Sequence, residues 1–252
     1  MLKTHYWRAG TNFGEMLIPI IIKWISGHDI EFVYNNVKGK YLIIGSEMSR
    51  NVLQENDIVW GYGNRYSERV KVPESANILA VRGKLTWESM DGDVPRVFGD
   101  PSILMPLIYT PKQLERRYDI GIITHHTDRH LFKKINDPNI LLLDIFDDPY
   151  LIIDKLNSCD IVISSSLHAC IVAESYDIPV IWMLGSKDKR ETFQIKFADY
   201  FSGTERDRNL TPTIFLETDI CSIAKNSIDI LPKGVFHRQE LIKAWDNYHK
   251  KL

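Results

Sequence analysis

The chain has 252 residues, 44% of them hydrophobic and 25% charged, with a formal net charge of −2. This length suits one large or two small domains, and the composition is that of a globular protein rather than a disordered or fibrous one. The charge balance excludes whole-molecule attraction to nucleic acid or an anionic membrane, so a charged ligand must be small and locally held. Apolar runs such as Met16–Ile25 fall short of the roughly 20 residues of a membrane span, and no transmembrane segment is expected.

In chain order, Leu2–Trp7 reads as a strand, Met16–Ile25 as a helix, and Tyr41–Ile44, Ile58–Gly61 and Ile78–Val81 as further strands. Gly45, Gly61 and Gly83 close three of them, and the carboxyl ends of parallel strands are where open α/β sheets bind ligands. The segment Leu107–Arg117, entered through Pro106 and interrupted by Pro111, reads as a linker or irregular crossover. Tyr118–Thr124 and Ile140–Ile145 then read as strands and Pro149–Cys159 as a helix. A complete βαβ unit follows: strand Ile161–Ile163, polar turn Ser164–Ser166, helix Leu167–Tyr176 and strand Pro179–Leu184. A last helix, Arg238–Lys250, is expected to pack across one lobe. This alternation defines the class as α/β, most simply two similar lobes facing each other across a cleft. The boundaries are 1–110 and 111–235, with a C-terminal helix in 236–252.

The first residues, including Lys3, His5, Trp7 and Arg8, lead into an apolar run without a small-residue cleavage pattern, so a secretory signal is not expected. Cys159, Cys170 and Cys221 are odd in number and unevenly spaced, which suits buried thiols in a reducing compartment. The expected location is cytoplasmic.

Ser164-Ser165-Ser166-Leu167-His168 puts three hydroxyls, several backbone amides and an imidazole where a buried strand becomes a helix. A helix N-terminus carries partial positive charge and unpaired N–H groups, which suits a phosphate or carboxylate. His168 falls in the first turn, where the dipole disfavours imidazolium and leaves a neutral general base. Serine N-capping alone also explains the turn.

Arg82, in Val81-Arg82-Gly83, offers a planar fork to a carboxylate or phosphate; a salt bridge to a nearby acid is the other use of such a residue. In Thr11-Asn12-Phe13-Gly14-Glu15, Asn12 caps a helix, Gly14 permits close approach, and Glu15 offers a carboxylate to sugar hydroxyls. Gly99-Asp100-Pro101 is read as a structural turn. His125, His126 and His130 lack the spacing of metal ligands, so no metal is expected; His125 is read as a ligand contact and the other two as solvent-exposed. Lys187–Arg190 reads as solvated charge, whereas Lys196, among the aromatics of Gln194–Phe201, is placed in the cleft.

Taken in order, Asn12-Phe13-Gly14-Glu15, Ile44-Gly45-Ser46, Val81-Arg82-Gly83 with Thr86, Phe98-Gly99-Asp100-Pro101, Tyr118-Asp119-Ile120-Gly121, Ser164–Ala169 and Lys196-Phe197-Ala198-Asp199-Tyr200 resemble the polysaccharide pyruvyl transferase family. The likeness is to the shorter bacterial type associated with exopolysaccharide and capsule synthesis. It implies two Rossmann-like lobes similar to glycosyltransferases of the B type, with the acceptor side in 1–110 and the donor side in 111–235. It also implies transfer of an enolpyruvyl unit from phosphoenolpyruvate onto two hydroxyls of a sugar, without a metal or organic cofactor. By this resemblance His168 is the catalytic histidine and Arg82 the arginine that binds phosphoenolpyruvate.

Many relatives have arginine where this chain has Ser166, and some have aspartate at Glu15. The donor therefore relies on Arg82, the turn Ser164, Ser165 and Ser166, and Lys196 or His125; Asn12, Glu15 and Ser46 complete the substrate-binding set. The implied partners are phosphoenolpyruvate and a sugar or lipid-linked oligosaccharide, the latter with transient membrane-surface contact. No nucleic acid is implied. Two other readings fit the same frame: a nucleotide-sugar-dependent glycosyltransferase, in which Glu174 meets a ribose, and a non-catalytic polysaccharide-assembly scaffold.

Overall fold

A computed structural model describes residues 1–8, 12–66, 68–114, 117–184, 191–214 and 230–251. Lys187–Arg190 and Cys221 lie outside the described residues. The first sheet contains β1 (Leu2–Thr4), β2 (Ile30–Phe32), β3 (Tyr41–Leu42), β4 (Ile58–Tyr62) and β5 (Asn77–Val81), all parallel, in the order β2-β1-β3-β4-β5. The second contains β6 (Tyr118–Ile123), β7 (Ile140–Leu143), β8 (Cys159–Ser164), β9 (Val180–Leu184) and β10 (Thr213–Ile214), also parallel, in the order β7-β6-β8-β9-β10. Each half thus lays its second strand outside its first and its third on the other side, the doubly wound order of Rossmann-like α/β folds.

The local reasons are direct. Ile161, Val162 and Ile163 form a continuous apolar run because β8 is central and buried on both faces, as strands of covered parallel sheets are. Helix α1 (Phe13–Ser26) starts where Asn12 Oδ1 accepts from the Gly14 amide at 3.1 Å, and stops at Gly27, which is left-handed at φ 71°. Its stripe of Leu17, Ile18, Ile21 and Ile22 is fully buried. Helices α2 (Lys84–Ser89), α3 (Met105–Ile108), α4 (Pro149–Asn157), α5 (Leu167–Ser175), α6 (Glu191–Gly203) and α7 (Arg238–His249) complete the described set.

Sequence pattern missed β2, β10, α2 and α3, the last in part because Leu107–Arg117 was read as a linker, and treated Gln194–Phe201 as an aromatic stretch rather than as part of α6. Phe197, Tyr200 and Phe201 are the buried face of that helix, and Phe197 stacks on Trp182 of β9 with centroids 4.5 Å apart. One apolar cluster runs through both halves, from Phe13 and Trp60 to Val162, Cys170 and Phe201. The Phe13 amide donates to the Ile145 carbonyl at 2.9 Å, tying the start of α1 to the end of the β7 region. Helix α7 returns to the first sheet, where Trp245 packs on Trp60 at 4.9 Å and Trp60 Nε1 donates to the Leu241 carbonyl at 2.9 Å.

At the amino ends of β3 and β4, Lys40 and Asp57 form a fully buried pair at 2.6 Å, and Asp57 also accepts from the amides of Lys40 and Gln54. It fastens the edge away from the carboxyl ends. Among the described residues no helix is long and apolar enough to cross a membrane.

A candidate active site where two switch points meet

In a doubly wound sheet the crevice opens between the carboxyl ends of the first and third strands, because their connections leave to opposite faces. Here both crevices border one cavity of about 320 Å³. His5 and Trp7 follow β1, Gly45 and Ser46 follow β3, His125 to Thr127 follow β6, and Ser166 to His168 follow β8. Asn12 and Glu15 at the start of α1, with Phe193 and Lys196 on α6, complete the wall used below.

His168 is the second residue of α5, and its Nε2 faces Asp100 Oδ2 at 3.5 Å. The other oxygen of Asp100 accepts from the Ser102 amide at 3.0 Å and the Ser102 hydroxyl at 2.6 Å, so Oδ2 is the one left for the imidazole. Burial opposes ionisation of Asp100, but the adjacent His168 and the Ser102 donors outweigh it and hold the carboxyl below its ordinary 3.8. The ring lies directly over Gly14, where an added Cβ would stand 2.3 Å from His168 Nδ1.

Glu15 is one residue further on. Desolvation pushes its carboxyl up from the ordinary 4.5, against the pull of His168 and then Lys196. Glu15 Oε2, His168 Nε2 and Asp100 Oδ2 are all buried without a hydrogen-bond partner within the described residues. Unsatisfied buried polar atoms are costly and concentrate where chemistry uses them. Asp100 at 3.5 Å and the coupled charge of Glu15 both act on the imidazole, so the dipole of α5 is not the only field on the ring.

The other expected contacts divide clearly. Ser166 and Lys196 line the cavity, Lys196 with its ammonium 4.5 Å from the Phe193 ring centroid. His125 also lines it, with its amide held by Ser165 Oγ at 2.9 Å. Asn12 reaches the wall while capping α1, and Ser46 reaches it while accepting from Arg82 Nη1 at 2.6 Å.

Four expectations need correction. Arg82 does not face the cavity. It is fully buried, with Nε donating to Asp199 at 2.9 Å and the Nη groups donating to Gly45 O, Ser46 Oγ and Asn64 O. Ser164 and Ser165 are struts: the Ser164 hydroxyl donates to Ile123 O at 2.6 Å and that of Ser165 to Asp128 at 2.8 Å. Glu174 is buried against Arg206 and accepts from the Tyr200 hydroxyl, so it is spent inside the fold. His130 is exposed as expected, but His126 lines the cavity and stacks on Trp7 with centroids 5.2 Å apart.

Sequence reasoning missed Asp100, Trp7 and Arg65. Asp100 looked like an ordinary turn residue because its partner lies far along the chain. Arg65 follows β4 and lines the cavity, in the same kind of position that drew attention to Arg82. Cys159 and Cys170 are buried free thiols, and burial pushes that of Cys159 up to about 11. Among the described residues no cluster of histidine, cysteine and carboxylate could hold a metal.

Two parallel doubly wound sheets meeting at an acid–imidazole–acid site define a Rossmann-like α/β protein with the equipment for proton transfer. The family model for polysaccharide pyruvyl transferase matches residues 57–186, a span that includes Asp100, His125 and His168. An uncharacterized protein of Acanthamoeba polyphaga mimivirus is 31% identical over 208 residues, covering 77% of this chain and 68% of that one. The chain belongs to the polysaccharide pyruvyl transferase family. Among solved structures, an uncharacterized protein of Klebsiella pneumoniae aligns at 11% identity over 85% of this chain and 92% of that one, with a TM-score of 0.38.

Proposed function

We propose that the cavity transfers an enolpyruvyl unit from phosphoenolpyruvate onto two hydroxyls of one sugar, giving a cyclic pyruvate ketal and inorganic phosphate. The observation that carries this is His168 and Glu15 on the cavity wall, with the buried Asp100 behind the imidazole at 3.5 Å. In this reading the cavity is the cleft of a two-lobed enzyme similar to the B-type glycosyltransferases. It works in the cytoplasm on units of an exopolysaccharide or capsule.

The first sugar hydroxyl gives its proton to His168 and its oxygen bonds to C2, while Glu15, whose burial favours the protonated form, protonates C3 to a methyl group. Asp100 orients the imidazole and balances its charge, and His168 then returns a proton to its neighbour Glu15. The C2–O bond to phosphate breaks, the second hydroxyl adds to C2, and its proton passes through His168 to the departing phosphate. One hydroxyl proton ends on C3 and the other on phosphate, so no oxidant or reductant is needed. Lys196 and the amides at the start of α5 offset the donor's negative charge.

On the acceptor side, Trp7 is 39% exposed and rests on His126, leaving an indole face at the rim for a sugar ring. The nucleotide-sugar reading loses its ribose contact, because Glu174 is occupied by Arg206.

The test is phosphate release from phosphoenolpyruvate with a panel of sugar glycosides, with mass spectrometry of the product. Wild type should release phosphate and add a pyruvate ketal, and His168→Ala should lower kcat by about 10²- to 10⁴-fold. Binding of nucleotide sugars, with no consumption of phosphoenolpyruvate by any acceptor, would overturn the proposal.

A further inference from the structure

The geometry points to Arg65 as the guanidinium that holds the anionic end of the donor. This rests on the phosphoenolpyruvate reading and adds a residue to it. Arg82 cannot serve, because its guanidinium is fully buried and committed to Asp199, Gly45, Ser46 and Asn64.

Arg65 lies at the carboxyl end of β4 on the cavity wall, with its side chain 27% exposed. Its amide donates to Ser46 O at 2.9 Å and its Nε to the Tyr66 hydroxyl at 3.0 Å, while Nη2 pairs with Glu47. The head is therefore pre-oriented, and no described protein acceptor bonds Nη1. Across the cavity, Lys196 stands on α6. Both cations converge on the ring of Phe193, with Arg65 Cζ at 5.9 Å and Lys196 Nζ at 4.5 Å from its centroid.

An anion placed between the two cations is attracted by both. A planar fork and a point charge together suit a ligand carrying both a phosphate and a carboxylate. Glu47, which also lines the cavity, holds the fork in its resting place and competes with the anion for it.

The experiment is isothermal titration of the full chain with phosphoenolpyruvate, and separately with inorganic phosphate, at fixed ionic strength, for wild type, Arg65→Ala, Arg65→Lys and Glu47→Gln. Arg65→Ala should weaken phosphoenolpyruvate binding about 10- to 100-fold, Arg65→Lys should recover part of the loss, and Glu47→Gln should bind more tightly than wild type. Undiminished binding in Arg65→Ala would overturn the assignment while leaving the donor standing. Wild-type binding of phosphate but not of phosphoenolpyruvate, lost in Arg65→Ala, would keep the anion subsite and sink the donor. Binding of neither ligand by wild type would overturn both. Should Arg65→Ala fail to fold, an unchanged affinity in both Arg65→Lys and Glu47→Gln overturns the assignment by itself.

Discussion

Replacing Gly14 with alanine sets one methyl group against the imidazole of His168. The new Cβ would stand 2.3 Å from Nδ1, 2.7 Å from Cγ and 3.0 Å from Cε1, whereas non-bonded heavy atoms settle at ~3.5–4 Å, so the ring must give way by about 1 Å. Gly14 lies in the first turn of α1 and its φ is not positive, so alanine fits the backbone and gains up to ~1 kcal/mol of helix propensity. Crowding of a packed site costs ~1–3 kcal/mol, which leaves a small net loss and a fall of a few degrees in Tm. The catalytic cost is larger. The 3.5 Å approach to Asp100 and the alignment with Glu15 both depend on where the ring sits, and a ~1 Å misplacement is worth about 10²-fold in rate. Phosphate release at saturating donor and acceptor should therefore fall about 10²-fold, with the affinity for phosphoenolpyruvate within about threefold of wild type. Turnover within about threefold of wild type would refute the role given to His168 and its two carboxyl neighbours.

Two other perturbations separate structure from chemistry. Arg82→Ala leaves Asp199 buried and unpaired, so it should cost about 3–5 kcal/mol in urea unfolding; a loss below about 1 kcal/mol would show that the pair does not fasten the halves. Glu15 keeps its proton to a higher pH folded than unfolded, so the folded chain binds more protons once pH passes the ordinary 4.5, and this group's effect on stability becomes increasingly unfavourable until the folded value is passed. Glu15→Gln has no such proton, so as pH rises through that window the Tm of wild type should fall relative to the variant; a gap that does not change with pH would contradict the buried acid.

The fold was legible wherever a strand is a continuous β-branched run. Ile161–Ile163 and the βαβ unit around it follow from period and turn chemistry alone. Helix α6 was readable in principle, since Phe197, Tyr200 and Phe201 fall at helical spacing, but its aromatics drew attention to packing rather than period. The order of strands in each sheet has no local signal, because it depends on which faces the crossovers choose. At the site, the rule that ligands gather at carboxyl strand ends placed Ser46, His125, Ser166 and His168 on one cavity. The same rule misled at Arg82, for it locates a residue without saying what it touches; the partner carboxylate is 117 positions away.

That misplaced arginine explains why two well-marked segments occur together. Arg82 and Thr86 come from the first half, and Asp199 from the helix that carries Phe193 and Lys196. Asp199 accepts from Arg82 Nε at 2.9 Å, the Thr86 hydroxyl at 2.7 Å and the Thr86 amide at 2.8 Å, while Arg82 also holds Gly45 O and Ser46 Oγ. Gly83 and Gly203 permit the approach, since a Cβ on Gly83 would meet Asp199 O at 1.7 Å and one on Gly203 would meet Arg82 O at 2.2 Å. The first-half loop that carries Ser46 and the α6 residue Lys196 are thus tied to one buried charge pair. Because a buried pair loses most of its value when either partner shifts, its geometry is intolerant of slack. Arg82 therefore fixes the distance between the two walls, and in the proposed reaction it would serve as a positioning residue while side chains that line the cavity meet the donor.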